Sequence, residues 1–275
     1  MTGWILTFLS PFIGGFIFGA ERVIRARMQR RKGPPLLQPF YDFFKLLDKR
    51  VMIVHSLHAW LGVLHFFCVW LAVAVLLTGG DILMAVIMHL MSSCFLIVGA
   101  NSVRSTYSQI GGIRELLSVM AYEPIFLIAG VGFYLVTGSF EARAVFSYDG
   151  LPIVSLWLIF AAVLTVLPFA LKKSPFDIVE AHQEIIGGPE IEYSGLFFEA
   201  VYTAKWLEYI FVYAFICLFA GGFTVVGAAL VVLVFFLVNA LDNAVPRLSW
   251  RQCVPFALLV SLSLGLINLV WIGAE

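Results

Sequence analysis

The chain has 275 residues, of which 61% are hydrophobic and only 12% charged, and its 17 basic and 17 acidic side chains cancel. A soluble domain carries about twice that fraction of charge, and apolar runs of about 20 residues need a lipid rather than an aqueous surrounding. Backbone polar groups in lipid must be paired within the segment, and the runs lack the alternation of barrel strands, so the composition predicts an all-α integral membrane protein.

The first apolar run covers 3–20, with Trp4 as an interfacial anchor. It lacks a basic leader and a small-residue cleavage site, so it is read as a retained span. The chain then turns basic, with Glu21, Arg22, Arg25, Arg27, Arg30, Arg31 and Lys32 ahead of Gly33-Pro34-Pro35. In the next stretch Leu36, Leu37, Phe40, Phe43, Phe44 and Leu47 recur at helical spacing opposite Asp42, Lys45, Asp48 and Lys49. That pattern predicts an amphipathic helix over about 35–48, too short and charged to span, lying in the interface.

Further spans are expected at 57–78, 82–101, 118–138, 151–171, 196–220, 222–240 and 254–272, giving eight in a single membrane domain covering 1–275. Glu123-Pro124 interrupts the fourth, and tight turns are expected at 79–81 and 221–222. The segments 21–56, 102–117, 172–195 and 241–253 hold 15 of the 17 basic residues. The positive-inside rule therefore places those four connections in the cytoplasm and both termini outside.

The densest chemistry lies in Ser174–Gly195, SPFDIVEAHQEIIGGPEIEYSG, which gathers Asp177, Glu180, Glu184, Glu190 and Glu192. Ser174 suits an N-cap and Pro175 a first helical position, so a short helix is expected, ending at Gly187-Gly188-Pro189. It would carry Asp177, Glu180 and Glu184 on one face. Crowded carboxylates shielded from water hold protons toward neutral pH, which suits a proton relay; a docking surface for a basic partner is the other reading. His182, between Glu180 and Glu184, would either pass protons or face water.

Glu123, Glu199, Lys205 and Glu208 fall in or beside apolar spans, where an ionised group costs at least about 2.5–3.5 kcal/mol and needs a protein or water partner. Lys205 and Glu208, at i and i+3, can neutralise each other or form an inert structural pair. Arg114 and Glu115 are placed in the connection before the fourth span. The four cysteines, at 68, 94, 217 and 253, have no cluster or zinc spacing, and His55-x-x-His58 stands alone, so no redox centre or metal site is expected in this chain.

GPPLLQPFYDFFKLLDK, NSVRSTYSQIGGIRELLSVMAYEP, the acidic run, KWLEYI and Pro246-Arg247 together resemble one family across nearly the whole chain. It is the membrane subunit 1/H family of respiratory complex I, with counterparts in energy-converting membrane-bound [NiFe] hydrogenases and formate hydrogenlyase. The compact Gly33-Pro34-Pro35-Leu36-Leu37-Gln38, lacking the glycines of quinone-reducing members, resembles the hydrogenase branch, as does Lys205. The resemblance implies eight tilted helices that anchor a cytoplasmic redox arm, and a membrane protein that couples the chemistry of that arm to proton or sodium movement.

By motif, Asp177, Glu180, Glu184 and Glu192 stand in the family's acidic loop, Glu123 in its Tyr-Glu element, Glu208 in its Glu-Tyr element and Arg114 after its Gly-Gly turn. With Glu115, Glu199 and Lys205 they form the expected coupling set, Lys205 acting as a movable counter-charge. Arg27, Gln38, Asp42, Lys45 and Glu190 form the expected docking face. The implied partners are a small iron–sulfur subunit, a large NiFe subunit, an antiporter-like membrane subunit and the lipid bilayer, with no nucleic acid. Iron–sulfur clusters and the NiFe centre belong to those partners. A quinone-site subunit of an NADH:quinone oxidoreductase and a stand-alone secondary transporter are the alternatives.

Overall fold

The computed structural model describes residues 2–274, and the side chains of Thr2 and His182 lie outside the described residues. Helix α1 (Thr2–Met28) continues two turns past the expected end of the first span. The basic stretch is itself helix-forming, and Glu21 and Arg25 pair across one turn at 2.9 Å. Helix α2 (Gln38–Asp48) has Pro39 in its first turn and docks through Phe40 and Phe43 on Trp206, with ring centroids 5.4 and 6.1 Å apart.

Helices α3 (Ser56–Thr78) and α4 (Ile82–Ser102) form the expected antiparallel hairpin. Gly79 takes φ +81° in its turn, and the Asp81 carboxylate caps α4 by accepting from the Met84 N–H at 2.9 Å. Helix α5 (Thr106–Thr137) corrects two expectations. It runs unbroken through Glu123-Pro124, and it begins early enough to include Gly111-Gly112, Arg114 and Glu115, which the sequence alone places in a connection and a turn. Tertiary packing holds the proline: Tyr122, Glu123, Ile125 and Phe126 around it are all buried.

The expected span 151–171 is broken. After α6 (Ala142–Phe146) come α7 (Pro152–Ser155) and the 14-residue α8 (Trp157–Ala170), with Leu156 between them. Asn268 stitches the break, its amide nitrogen donating to the Ser155 carbonyl at 2.9 Å and its oxygen accepting from the Ile159 N–H at 3.0 Å. A one-turn helix α9 (His182–Ile185) and a 3-10 turn at Gly188–Glu190 lead to α10 (Gly195–Leu218), α11 (Thr224–Ala244) and α12 (Trp250–Ala274). Among the described residues seven helices are long and apolar enough to cross a membrane, with α8 a shorter apolar one, against the eight expected spans.

The helix expected from Ser174 does not form before His182. Its capping groups are spent on α11 instead: the Ser174 N–H donates to Asp242 Oδ1 at 3.0 Å and its hydroxyl to the Val245 carbonyl at 2.8 Å. The loop therefore lies across the bundle end, with its acids spread apart rather than stacked on one face. Helix α10 is the axis of the molecule. In its apolar window 78% of residues are buried, against 22% for α11, so charges on α10 face protein on nearly all sides.

Candidate functional site

At the end of the bundle where α1 and α11 finish, α1, α2, α10, α11 and residues 171–180 enclose a cavity of about 360 Å³. Twelve of its sixteen lining residues are charged: Glu21, Asp42, Asp177, Glu180, Glu208 and Asp242, matched by Arg22, Arg25, Lys172, Lys173, Lys205 and Arg247. Helix and loop geometry crosses these pairs over. Arg25 reaches Asp242 at 2.7 Å, Lys173 pairs with Glu21, Arg247 meets Asp177 at 2.6 Å, and Arg22 meets Asp42 at 3.1 Å. The acidic loop is thereby tied to α1 and the segment after α11.

Lys205 does not pair with Glu208, as their spacing along α10 suggests. Its ammonium lies 2.8 Å from Glu180 and 2.7 Å from Glu190, both on the loop. Lysine has the reach to leave its own helix face, and the loop, lying over α10, presents the nearer carboxylates. The shared cation separates the two acids. Burial opposes ionisation of Glu180, but Lys205 and then Lys172 outweigh it and hold this carboxyl down to about 2. Burial raises Glu190, and the neighbouring negative Glu180 adds to the effect, so Glu190 keeps its proton more readily. Glu190, expected on the docking face, is 7% exposed and turned inward.

From this cavity, buried polar groups continue between the helices. Lys172 lies 3.6 Å from Glu115 on α5; burial lowers its proton affinity, but Glu115, Glu208 and Glu180 raise it well above the ordinary lysine range. Glu208 is 7% exposed, lines the cavity, and acts electrostatically on His65 and His89. Deeper still, His89 Nδ1 sits 2.6 Å from Glu123 Oε1, its ring stacked on Phe211 with centroids 4.3 Å apart. His65 Nδ1 is 2.7 Å from the Ser92 hydroxyl. Among the described residues, one oxygen each of Glu115, Glu123 and Glu190 is buried without a hydrogen-bond partner. Such atoms are costly unless protonated or met by water.

Several expected residues lie elsewhere. Glu184 is drawn to Arg114 at 2.7 Å near the loop's exposed tip, and Arg114 also donates to the Ile178 carbonyl at 3.2 Å. Glu192 lies beside His58 and Tyr193. Glu199 accepts from the Thr203 hydroxyl within α10 and does not line the cavity. Arg27 and Lys45 are exposed, whereas Gln38 donates to Asp42 at 2.9 Å, orienting that carboxylate toward Arg22.

A family model described as NADH dehydrogenase matches residues 2–273. The chain belongs to the NADH dehydrogenase family. Family members similar to it include an NADH-quinone oxidoreductase subunit of Syntrophotalea carbinolica, 28% identical over 94% of this chain and 90% of that one. Hydrogenase-4 component C of Escherichia coli is 25% identical, over 74% of this chain and 67% of its own length. In fold, the chain matches a solved structure of the membrane-bound sulfane sulfur reductase, an archaeal respiratory membrane complex, with TM-score 0.85 and 22% identity, covering 97% and 98% of the two chains.

Residues of the file that sequence reasoning passed over are His65, His89, Lys172, Lys173, Glu21 and Asp242. The two histidines carried one usable signal, since a polar ring inside an apolar run needs a partner at membrane depth. Asp242 carried none, because its partners are distant in sequence, whereas Glu21 carried the i, i+4 spacing to Arg25 but none toward Lys173.

Proposed function

We propose that this chain is the membrane anchor and coupling subunit of a multisubunit energy-converting complex of the [NiFe] hydrogenase type. In this reading a small iron–sulfur subunit and a large NiFe subunit dock over the loop at 171–194, and an antiporter-like subunit lies beside the bundle. The loop end faces the cytoplasm, in keeping with the basic residues gathered there, and the redox centres belong to the soluble arm. The observation that carries the reading is Lys205 held between Glu180 and Glu190, at the mouth of a file leading to Glu208, Glu115, His89 and Glu123.

A change of charge above the loop, or a shift of the loop itself, alters which carboxylate the ammonium serves. Two unit charges 4 Å apart interact by about 4 kcal/mol at an effective dielectric of 20, enough to move a proton between neighbours. Glu190 releases or takes up its proton as Lys205 moves, and Glu208 passes the disturbance inward. Asp177 is held by Arg247, which anchors the loop while Glu180 responds.

The names of the relatives support a second reading, a subunit of a quinone reductase. A quinone ring and tail call for mostly apolar walls, and this cavity, three quarters of whose lining residues are charged, does not supply them. The test uses the intact complex in sealed vesicles. Glu208→Gln and Lys205→Met are expected to leave the subunits assembled while ion translocation falls to background. Normal translocation in both variants would remove the coupling role, and inhibition by a quinone-site ligand would favour the second reading.

A further inference from the structure

The opposite end of the bundle carries a site that the coupling file does not use. Here α1 begins, α3 ends and α10 turns into α11, and the four helices leave an apolar cavity of about 520 Å³. Leu6, Leu77, Leu218 and Ala228 contribute its walls, and Gly221 and Gly227 also line it. A second cavity of about 310 Å³ adjoins it and shares Leu77 and Phe146, but its lining is polar: Thr78, Ser147 and Arg143. Arg143 is exposed and has no ion-pair partner among the described residues. It is also the basic residue left over at this end, since the other sixteen lie in the four basic connections or on α10.

Among the described residues, the carboxylates at this end do not claim it. Asp81 is committed to the Met84 N–H at the start of α4, and none of Asp81, Glu141 and Asp149 lines the polar cavity. Trp4, 62% exposed, borders that cavity and marks the depth at which lipid headgroups meet hydrocarbon.

We propose that the two cavities form one binding site for a membrane phospholipid, its phosphodiester on Arg143 and one acyl chain in the apolar groove. The order of the linings, cationic and polar at the rim and then hydrocarbon toward the middle of the bundle, is the order of a phospholipid along the membrane normal. A guanidinium gives a phosphate two parallel hydrogen bonds, and each buried methylene of the chain adds its own transfer free energy. The occupant closes the gap between α1 and α11, the least enclosed of the long helices.

The intact complex would be placed in nanodiscs containing a phosphatidylethanolamine with a diazirine on one acyl chain, illuminated, and its adducts mapped by peptide mass spectrometry. Adducts concentrated on residues 217–228 are expected. They fall about tenfold in Arg143→Gln, the scale of losing one charge-assisted hydrogen bond, and equally in Ala228→Phe, which fills the groove without touching the arginine. Native mass spectrometry of each variant checks that all subunits remain. Adducts spread evenly along the outer faces of α1 and α11 and unchanged by both substitutions, the mark of ordinary boundary lipid, would overturn the proposal. So would cross-links from a partner subunit filling the groove in place of lipid.

Discussion

The charged cavity under the loop and the His89–Glu123 pair deeper in the bundle are built from the same kinds of group and differ in redundancy. In the cavity six acids face six bases, and Glu21, Asp242 and Lys205 each serve two partners. Loss of one member is redistributed among the others. Among the described residues His89 and Glu123, each less than 5% exposed, have one strong polar partner, each other, and aromatic rings around them. Under the proposed coupling role, a proton would meet a graded set of acceptors in the first region and a single step in the second.

The comparison breaks most sharply at His89. His89→Leu leaves Glu123 buried without its partner, a loss of about 3–5 kcal/mol, and the expected outcome is a large fall in the thermal stability of the assembled complex. Equal stability of the variant and the parent would mean that water or another chain already serves Glu123.

Glu180→Gln sharpens the same contrast through redistribution. It removes the negative neighbour that helps raise Glu190 and leaves Lys205 wholly to it, so the proton affinity of Glu190 falls. The protonated carboxyl band of Glu190 in infrared difference spectra is therefore expected to disappear at lower pH in the variant than in the parent. In the parent, stability owed to ionised Glu180 is present above the ordinary carboxylate pKa and lost as pH falls toward about 2. Stability owed to protonated Glu190 runs the other way and is lost as pH rises through its raised pKa.

Arg114→Gln has the smallest effect. Glu184 is 59% exposed, and such pairs contribute about 0.2–1 kcal/mol. Faster proteolysis between residues 182 and 188, with unchanged melting of the bundle, is the outcome to look for.

The membrane helices were legible because length and apolar content decide them. Asp177, Glu180, Glu208 and Lys205 were also legible as members of one site, since charge in an apolar chain must be accounted for. What failed was local reasoning about partners. The i, i+3 rule assigned Lys205 to Glu208, and the cap rule gave Ser174-Pro175 a helix. In each case a contact across the fold, with Glu180 and Glu190 or with Asp242 and Val245, supplied a nearer partner than the neighbouring turn. The break at Leu156 was illegible for the same reason: the amide that repairs it belongs to α12, more than 100 residues along the chain. Glu123-Pro124 failed in the opposite direction, as burial held together a helix that propensity would end.

Tyr193 closes the loop in a way that bears on how it can move. Its ring enters a notch where a methyl group on Gly62 or Gly99 would come within 2.6 or 2.5 Å of it, and it stacks on His58 at 3.8 Å. Ser174 is fastened to α11 at the other side. A segment pinned at both ends flexes like a strap, and between the two fastenings Glu180 and Glu190 grip Lys205. Under the proposed docking, pressure on the loop would reach the ammonium through Glu180 and Glu190, with both fastenings left in place.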